Sequence, residues 1–383
     1  MNRIFFSIVF LYLFKAEAQT SAFQLADSLF AMGNYQKAIE LYQKSTPKIS
    51  AATYQKIAQA YQATGNLSLA IRNYEEAIQQ NQELVVAKSR LAKLYYQNSK
   101  YQLSDSLFRE LIQHYPENPD FYYRLALVKE KLKDTTAIQD FKKVLEIDEH
   151  HQKALYELAK VHYEKKNHVE VENLGEKALS SYPENTGILS LLAQNALAQR
   201  NYYLAKSRFE QLLQLNKKSV FIHLNLGYCY FNLKEYEKAA QQFKEVIQLE
   251  NNHQLAGLFA GKSLLMLERY QEAESFLRVA VVLADQPLDD YYTSFALSLQ
   301  KQKKFKQAID NFKIALEESP KNYRAQYELA VCVDNYYKDV QAKINYYQLF
   351  INKFKKEHKA KYYLFLAKER LSDLKEQQHL AKK

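Results

Sequence analysis

Gly33-Asn34-Tyr35-Gln36-Lys37-Ala38-Ile39 returns further along the chain as Gly65-Asn66-Leu67-Ser68-Leu69-Ala70-Ile71. Shorter versions recur at Tyr236-Glu237-Lys238-Ala239, Tyr270-Gln271-Glu272-Ala273 and Phe305-Lys306-Gln307-Ala308. Self-similarity at a fixed period marks a chain built from stacked supersecondary units. Working outward from these phrases, units begin near residues 19, 51, 85, 119, 152, 186, 220, 254, 289 and 323, nearly all 33 to 35 residues apart.

The first half of each unit carries an apolar stripe at i, i+3, i+4 and i+7, one face of an α-helix. Tyr54, Ile57, Ala58 and Tyr61 form it in the second unit, and His223, Leu226, Gly227 and Tyr230 in the seventh. Its third member is always small: Ala26, Ala58, Ala92, Ala126, Ala159, Ala193, Gly227, Gly261, Ala296 and Ala330. A small residue lets two helix backbones approach closely, and a bulky one would overpack the contact. In the second half a small residue recurs at Ala38, Ala70, Ser104, Ala137, Ala205, Ala239, Ala273, Ala308 and Ala342, with Val171 the exception. Four residues later comes a large one: Tyr42, Tyr74, Phe108, Phe141, Phe209, Phe243, Leu277, Phe312 and Tyr346. Small and large positions alternate, so facing layers interlock. Pro116, Pro183 and Pro320 close units, because proline cannot continue a helix.

This pattern resembles the tetratricopeptide repeat family over nearly the whole chain past residue 18. The resemblance implies an all-α helical-repeat solenoid of about ten repeats over residues 19–356, with antiparallel helix pairs stacked into a right-handed superhelix around a groove. It implies protein or peptide partners lying against the first helix of each pair. Departures fall in four units. The opening helix of the first is weakly patterned, and the fourth is one residue short near Lys133-Asp134. The fifth has Val171 and Gly175, and the tenth has Tyr336-Tyr337-Lys338-Asp339 in place of the usual turn. Residues 357–383 are expected to form a basic capping helix, since a solenoid must cover its last apolar face.

Composition agrees with long helices and short turns. The 383 residues include only 7 Gly and 6 Pro, with 31 Tyr and no Trp. The first eighteen residues stand apart: Arg3 supplies a positive start, Ile4 to Phe14 is an apolar run, and Ala16-Glu17-Ala18 has small residues at the cleavage spacing. They are expected to be a signal peptide cleaved after Ala18, which sends the chain to the periplasm or cell envelope. The rival arrangement keeps this segment as an anchor. Cys229 and Cys332 stand three repeats apart, too far to bridge, and are expected to be buried small hydrophobes. The net charge is +10. Lys353 to Lys383 supplies ten Lys or Arg against four Asp or Glu, which suits either a solvated helix or an anionic membrane surface.

No constellation for catalysis, a cofactor or a metal emerges, and an enzyme is not expected. Gly257 to Ser263 imitates a phosphate-binding loop but is one residue short, and its glycines fall on a helix stripe. His150-His151 lacks a carboxylate or thiol at ligand spacing, and His162 and His223 fall on core stripes. Nucleic acid is not expected either, because the aromatics that would stack on bases are engaged in helix packing.

The expected partner is therefore a protein. In some members of the resembling family a Lys on the first helix clamps a C-terminal carboxylate. The matching positions here hold Phe23, Gln55, Ser89, Tyr123, Tyr156, Ser190, Leu224, Leu258, Thr293 and Tyr327, none of them Lys. On the groove face, units two and three are mostly polar, with Gln55, Gln59, Gln62, Ser89, Lys93 and Gln97. Units seven and eight are apolar, with Phe221, Leu224, Tyr228, Phe231, Leu255, Leu258, Leu265 and Met266. A contiguous apolar face marks an interaction site, so these eight are the candidate partner-binding residues. Two functions fit: an exported scaffold or adaptor, or a membrane-surface component held by its N-terminal segment and basic C-terminus. Open solenoid ends also leave room for a homo-oligomer.

Overall fold

The computed structural model describes residues 22–44, 49–285 and 288–381. The expected signal peptide, residues 1–18, lies outside them. Among the described residues the chain is helical throughout, with no strand. It divides into two compact units, one ending at Tyr182 and one beginning at Pro183.

The first unit holds α1 (22–31), α2 (Tyr35–Lys44), α3 (Ala51–Ala63), α4 (Leu67–Gln80), α5 (Val85–Gln97), α6 (Tyr101–His114), α7 (Pro119–Lys131), α8 (Ala137–Ile147), α9 (Gln152–Glu164) and α10 (His168–Ser181). The second holds α11 (Thr186–Ala198), α12 (Tyr202–Gln214), α13 (Val220–Asn232), α14 (Tyr236–Leu249), α15 (Gln254–Met266), α16 (Tyr270–Leu283), α17 (Asp289–Lys301), α18 (Phe305–Glu318), α19 (Tyr323–Tyr336), α20 (Val340–Phe354) and α21 (Lys361–Leu380). A 3-10 turn, His358–Ala360, precedes α21. Consecutive helices joined by turns this short pack side by side and antiparallel. The first helices of successive repeats also touch directly, as α5 touches α7, α13 touches α15 and α15 touches α17. First helices therefore form the inner layer of each unit.

One turn links the two helices of nine repeats. At the end of α3, Gly65 takes a left-handed φ of 77°. Its N–H donates to the Gln62 carbonyl at 3.1 Å, and the Asn66 N–H donates to the Tyr61 carbonyl at 2.9 Å. This Schellman pair satisfies carbonyls that a helix end leaves unpaired. The same turn recurs at Gly33, Ser99, Lys133, Lys166, Arg200, Lys234, Glu268 and Lys303, all at positive φ. The following helix then starts with a cap in several repeats, as Asn201 accepts from the Leu204 N–H at 3.2 Å.

Packing follows the small–large code. All ten small residues of the first helices are buried. The large residues from Tyr42 to Phe312 are among the most buried side chains of the chain. Ser104 fills a small slot with a hydroxyl that donates to the Ala92 carbonyl at 2.8 Å. Gly261 meets Leu277 so closely that an added Cβ would overlap the Leu277 side chain. The glycines of the loop-like Gly257–Ser263 phrase are thus helix-packing residues within α15. In the fourth repeat α8 begins at Ala137 itself, after Asp134 accepts from the Thr136 N–H at 2.8 Å. A side-chain turn replaces the first helical turn, which is where the missing residue falls.

The tenth repeat departs from the sequence reading. Ala342 and Tyr346, expected as the small and large residues, are only half-buried, whereas Tyr347, Phe350 and Phe354 are buried. The cause lies in the turn: Tyr337 is extended, with φ −87° and ψ 146°. Without the left-handed turn, α20 presents a face shifted by one residue. The end of this repeat is covered by α21, which buries Leu364, Ala367, Leu371 and Leu374. Asp334 of α19 ties it down, accepting from Arg370 at 2.7 and 3.2 Å while pairing with Lys343 at 3.1 Å.

Candidate functional site

Position in the repeat decides what each candidate side chain meets. Phe221 and Leu255 occupy the same position in α13 and α15, whose helices touch. They remain 41% and 42% exposed. Met266, at the last residue of α15, is 56% exposed. Leu224 and Leu265 are half-buried. Leu265 packs against the cores around Leu277 and Phe312, so Phe221, Leu224, Leu255 and Met266 give the open apolar strip on the inner layer of the second unit.

The other three candidates are held by packing. Leu258 is only 2% exposed, clustered with Leu264, Leu277 and Tyr291. It belongs to the core around Leu277, which Tyr291 of the next first helix joins, rather than to the open face. Tyr228 and Phe231 both pack on Phe259, with ring centroids 4.6 and 5.3 Å apart in edge-on geometry. Such pairs are favoured by the ring quadrupoles. Burial pushes the Tyr228 hydroxyl up to about 12, so it stays protonated. Phe259, which stripe spacing does not place on this face, is the wedge that joins the two repeats. Its position between stripes leaves no signal in the sequence.

Polar candidates resolve into structural roles. His151 accepts from the Ala154 N–H through Nδ1 at 3.2 Å and caps α9. His223 is buried, with Nδ1 2.8 Å from Gln242 Oε1. Cys229 and Cys332 are free and fully buried, and burial pushes both thiols up to about 12. Among the described residues no group of His, Cys, Asp and Glu is arranged to hold a metal ion.

A layered helical repeat with an open inner strip defines a class of interaction proteins. Models described as tetratricopeptide repeat match residues 20–45, 51–83, 89–137 and 293–334. A model of the anaphase-promoting complex, cyclosome, subunit 3 matches residues 205–280. The chain is a tetratricopeptide repeat protein. Among curated proteins it is similar to the BBSome complex member BBS4 of Bos taurus, 25% identical over 215 residues. That match covers 56% of this chain and 39% of the relative, so the chain spans less than half of that relative's length. Similar solved structures include PilF of Pseudomonas aeruginosa, 22% identical over 55% of this chain and 96% of that one, TM-score 0.45. YrrB, described as having an unusual peptide-binding site, is 22% identical over 51% and 97%, TM-score 0.44. Yeast Tom70 is 14% identical over 95% and 97%, TM-score 0.40.

Proposed function

We propose that this chain is an exported, non-enzymatic adaptor that holds a protein partner by an apolar segment laid along the inner strip of repeats seven and eight. The tetratricopeptide fold supports protein–protein scaffolding as its general role. One observation carries the finer reading: Phe221, Leu255 and Met266 stay exposed on helices whose other large apolar side chains are buried or half-buried. An extended or helical segment with spaced apolar anchors matches such a strip. The test places a photo-crosslinking residue at Phe221 in cells and compares it with one at exposed Tyr203, on a second helix. A discrete adduct from Phe221 alone supports the strip, and its loss in Leu255→Ser with helical content unchanged assigns it there. Adducts of equal yield from both positions remove the strip as the site. Export has its own test: the mature chain is expected to start at Gln19, and retention of Met1 to Ala18 argues for an anchor.

A second reading draws on α21, where Tyr362 and Phe365 are 67% and 59% exposed beside Lys361 and Lys368. Aromatic and basic side chains together suit an anionic lipid surface. Co-sedimentation with phosphatidylglycerol vesicles, lost in Tyr362→Ser/Phe365→Ser, would favour it.

A further inference from the structure

The first unit carries two adjoining cavities on its inner layer, of about 290 and 440 Å³. They share Gln62 of α3 and Lys93 of α5, and together they run from α3 across α5 to α7. Beside an apolar lining that includes Val85, Phe121 and Leu127 they carry cations, which the apolar strip of the second unit does not. Every charged side chain that lines them is a cation: Arg90, Lys93 and Arg124. The remaining polar lining is made of amides and hydroxyls, chiefly Gln62, Gln97, Ser89 and Asn118.

We infer that these cavities bind an extended acidic peptide segment of a partner, with side-chain carboxylates on Arg90, Lys93 and Arg124 and backbone groups on the amides. Asp120 prepares the cations. It lies 3.1 Å from Lys93 and accepts from Arg124 at 3.2 Å, so one carboxylate orients two cations. Burial alone would raise the Asp120 carboxyl, but Lys93 and Arg124 outweigh it and hold it below its usual range. Three cations against one carboxylate leave two positive charges uncompensated. Arg90, beside the Tyr74 hydroxyl, is exposed and forms no ion pair among the described residues. Charge-assisted hydrogen bonds from oriented Arg and Lys to carboxylates are strong and directional.

Gln62 accepts from the Tyr74 hydroxyl at 3.3 Å, which leaves its amide N–H groups for a peptide carbonyl. Val86 stands exposed at the rim, and Leu127 lines the far cavity. The ligand therefore alternates acidic with small or apolar residues. The arrangement differs from a terminal-carboxylate clamp, since Ser89 and Tyr123 occupy the positions where that clamp would place lysine.

The test is fluorescence anisotropy of the full mature chain with a fluorescein-labelled nonapeptide of alternating glutamate and serine. Saturable binding that weakens at least tenfold in Arg90→Gln/Lys93→Gln is expected, with Phe221→Ser/Leu255→Ser binding as wild type does. The last arm separates this site from the apolar strip, so either reading can fail alone. Arg90→Glu, a surface change, should by itself weaken binding at least fivefold even if loss of Lys93 disturbs folding. The inference is overturned if the glutamine–serine peptide binds equally well, if the charge variants bind as tightly as wild type, or if a nine-nucleotide oligouridylate competes better than the acidic peptide. That last result would mean a phosphate-chain ligand instead.

Discussion

Arg200 holds its backbone at φ 58°, a conformation that glycine adopts freely and other residues avoid. The turn needs it, because only a left-handed residue lets two successive N–H groups close on the preceding carbonyls. Seven of the nine repeat turns place a side chain there, and each stores about 1 kcal/mol of strain. Arg200→Gly should stabilise the chain by about 0.5 kcal/mol after the added freedom of the unfolded chain is subtracted. Gly65→Ala should cost about 1 kcal/mol. Urea unfolding of both variants reads the pair, and a destabilised Arg200→Gly would deny that strain resides at this position. Gly261 poses the opposite constraint, of space rather than torsion. Gly261→Ala should destabilise by about 1–3 kcal/mol through the Leu277 contact. In a Leu277→Ala background the same methyl should be tolerated, a coupling that a double-mutant cycle measures.

At the scale of the element, the C-terminal helix depends on one carboxylate. Burial tends to raise Asp334, but hydrogen bonds from Arg370 and Lys343 hold it below its usual 3.8. A depressed carboxyl contributes stability above its unfolded value and loses it as pH falls through the lower folded value. Docking of α21 should therefore weaken below about pH 3.8. Arg370→Ala should lower the melting temperature at pH 7, and its gap from wild type should close in acid. A gap that stays constant to pH 2 would show that apolar packing alone holds the helix. This element is legible in outline: the sequence predicts a polar helix after residue 357, but not its anchor. An ion pair between residues 36 apart in sequence, Asp334 and Arg370, leaves no periodic trace. The same holds for the tenth repeat, where one extended residue, Tyr337, shifts the buried face of α20 away from Ala342 and Tyr346. The repeats themselves are legible because small residues recur at a fixed spacing, and close backbone approach enforces that recurrence. The open strip is legible only in part. Stripe arithmetic places Phe221 and Leu258 on one face, but which of them is covered depends on how near the following helix comes.

For the molecule as a whole, each compact unit contains its own clusters. The second unit encloses the cores around Leu277, Phe312 and Phe350 and ends in its own cap. Residues 183–383 expressed alone should therefore stay helical and unfold cooperatively by circular dichroism. A non-cooperative melt would mean that its repeats need the preceding ones, as nearest-neighbour stacking allows. The two buried cysteines add something further. Cys229 sits on α13 and Cys332 on α19, and neither thiol reaches solvent while its repeat is closed. The protein thus carries two natural clocks for local opening. Alkylation by iodoacetamide at each sulfur reports how often that repeat breathes, with no engineered label. In Arg370→Ala the Cys332 clock should run faster while the Cys229 clock keeps wild-type time.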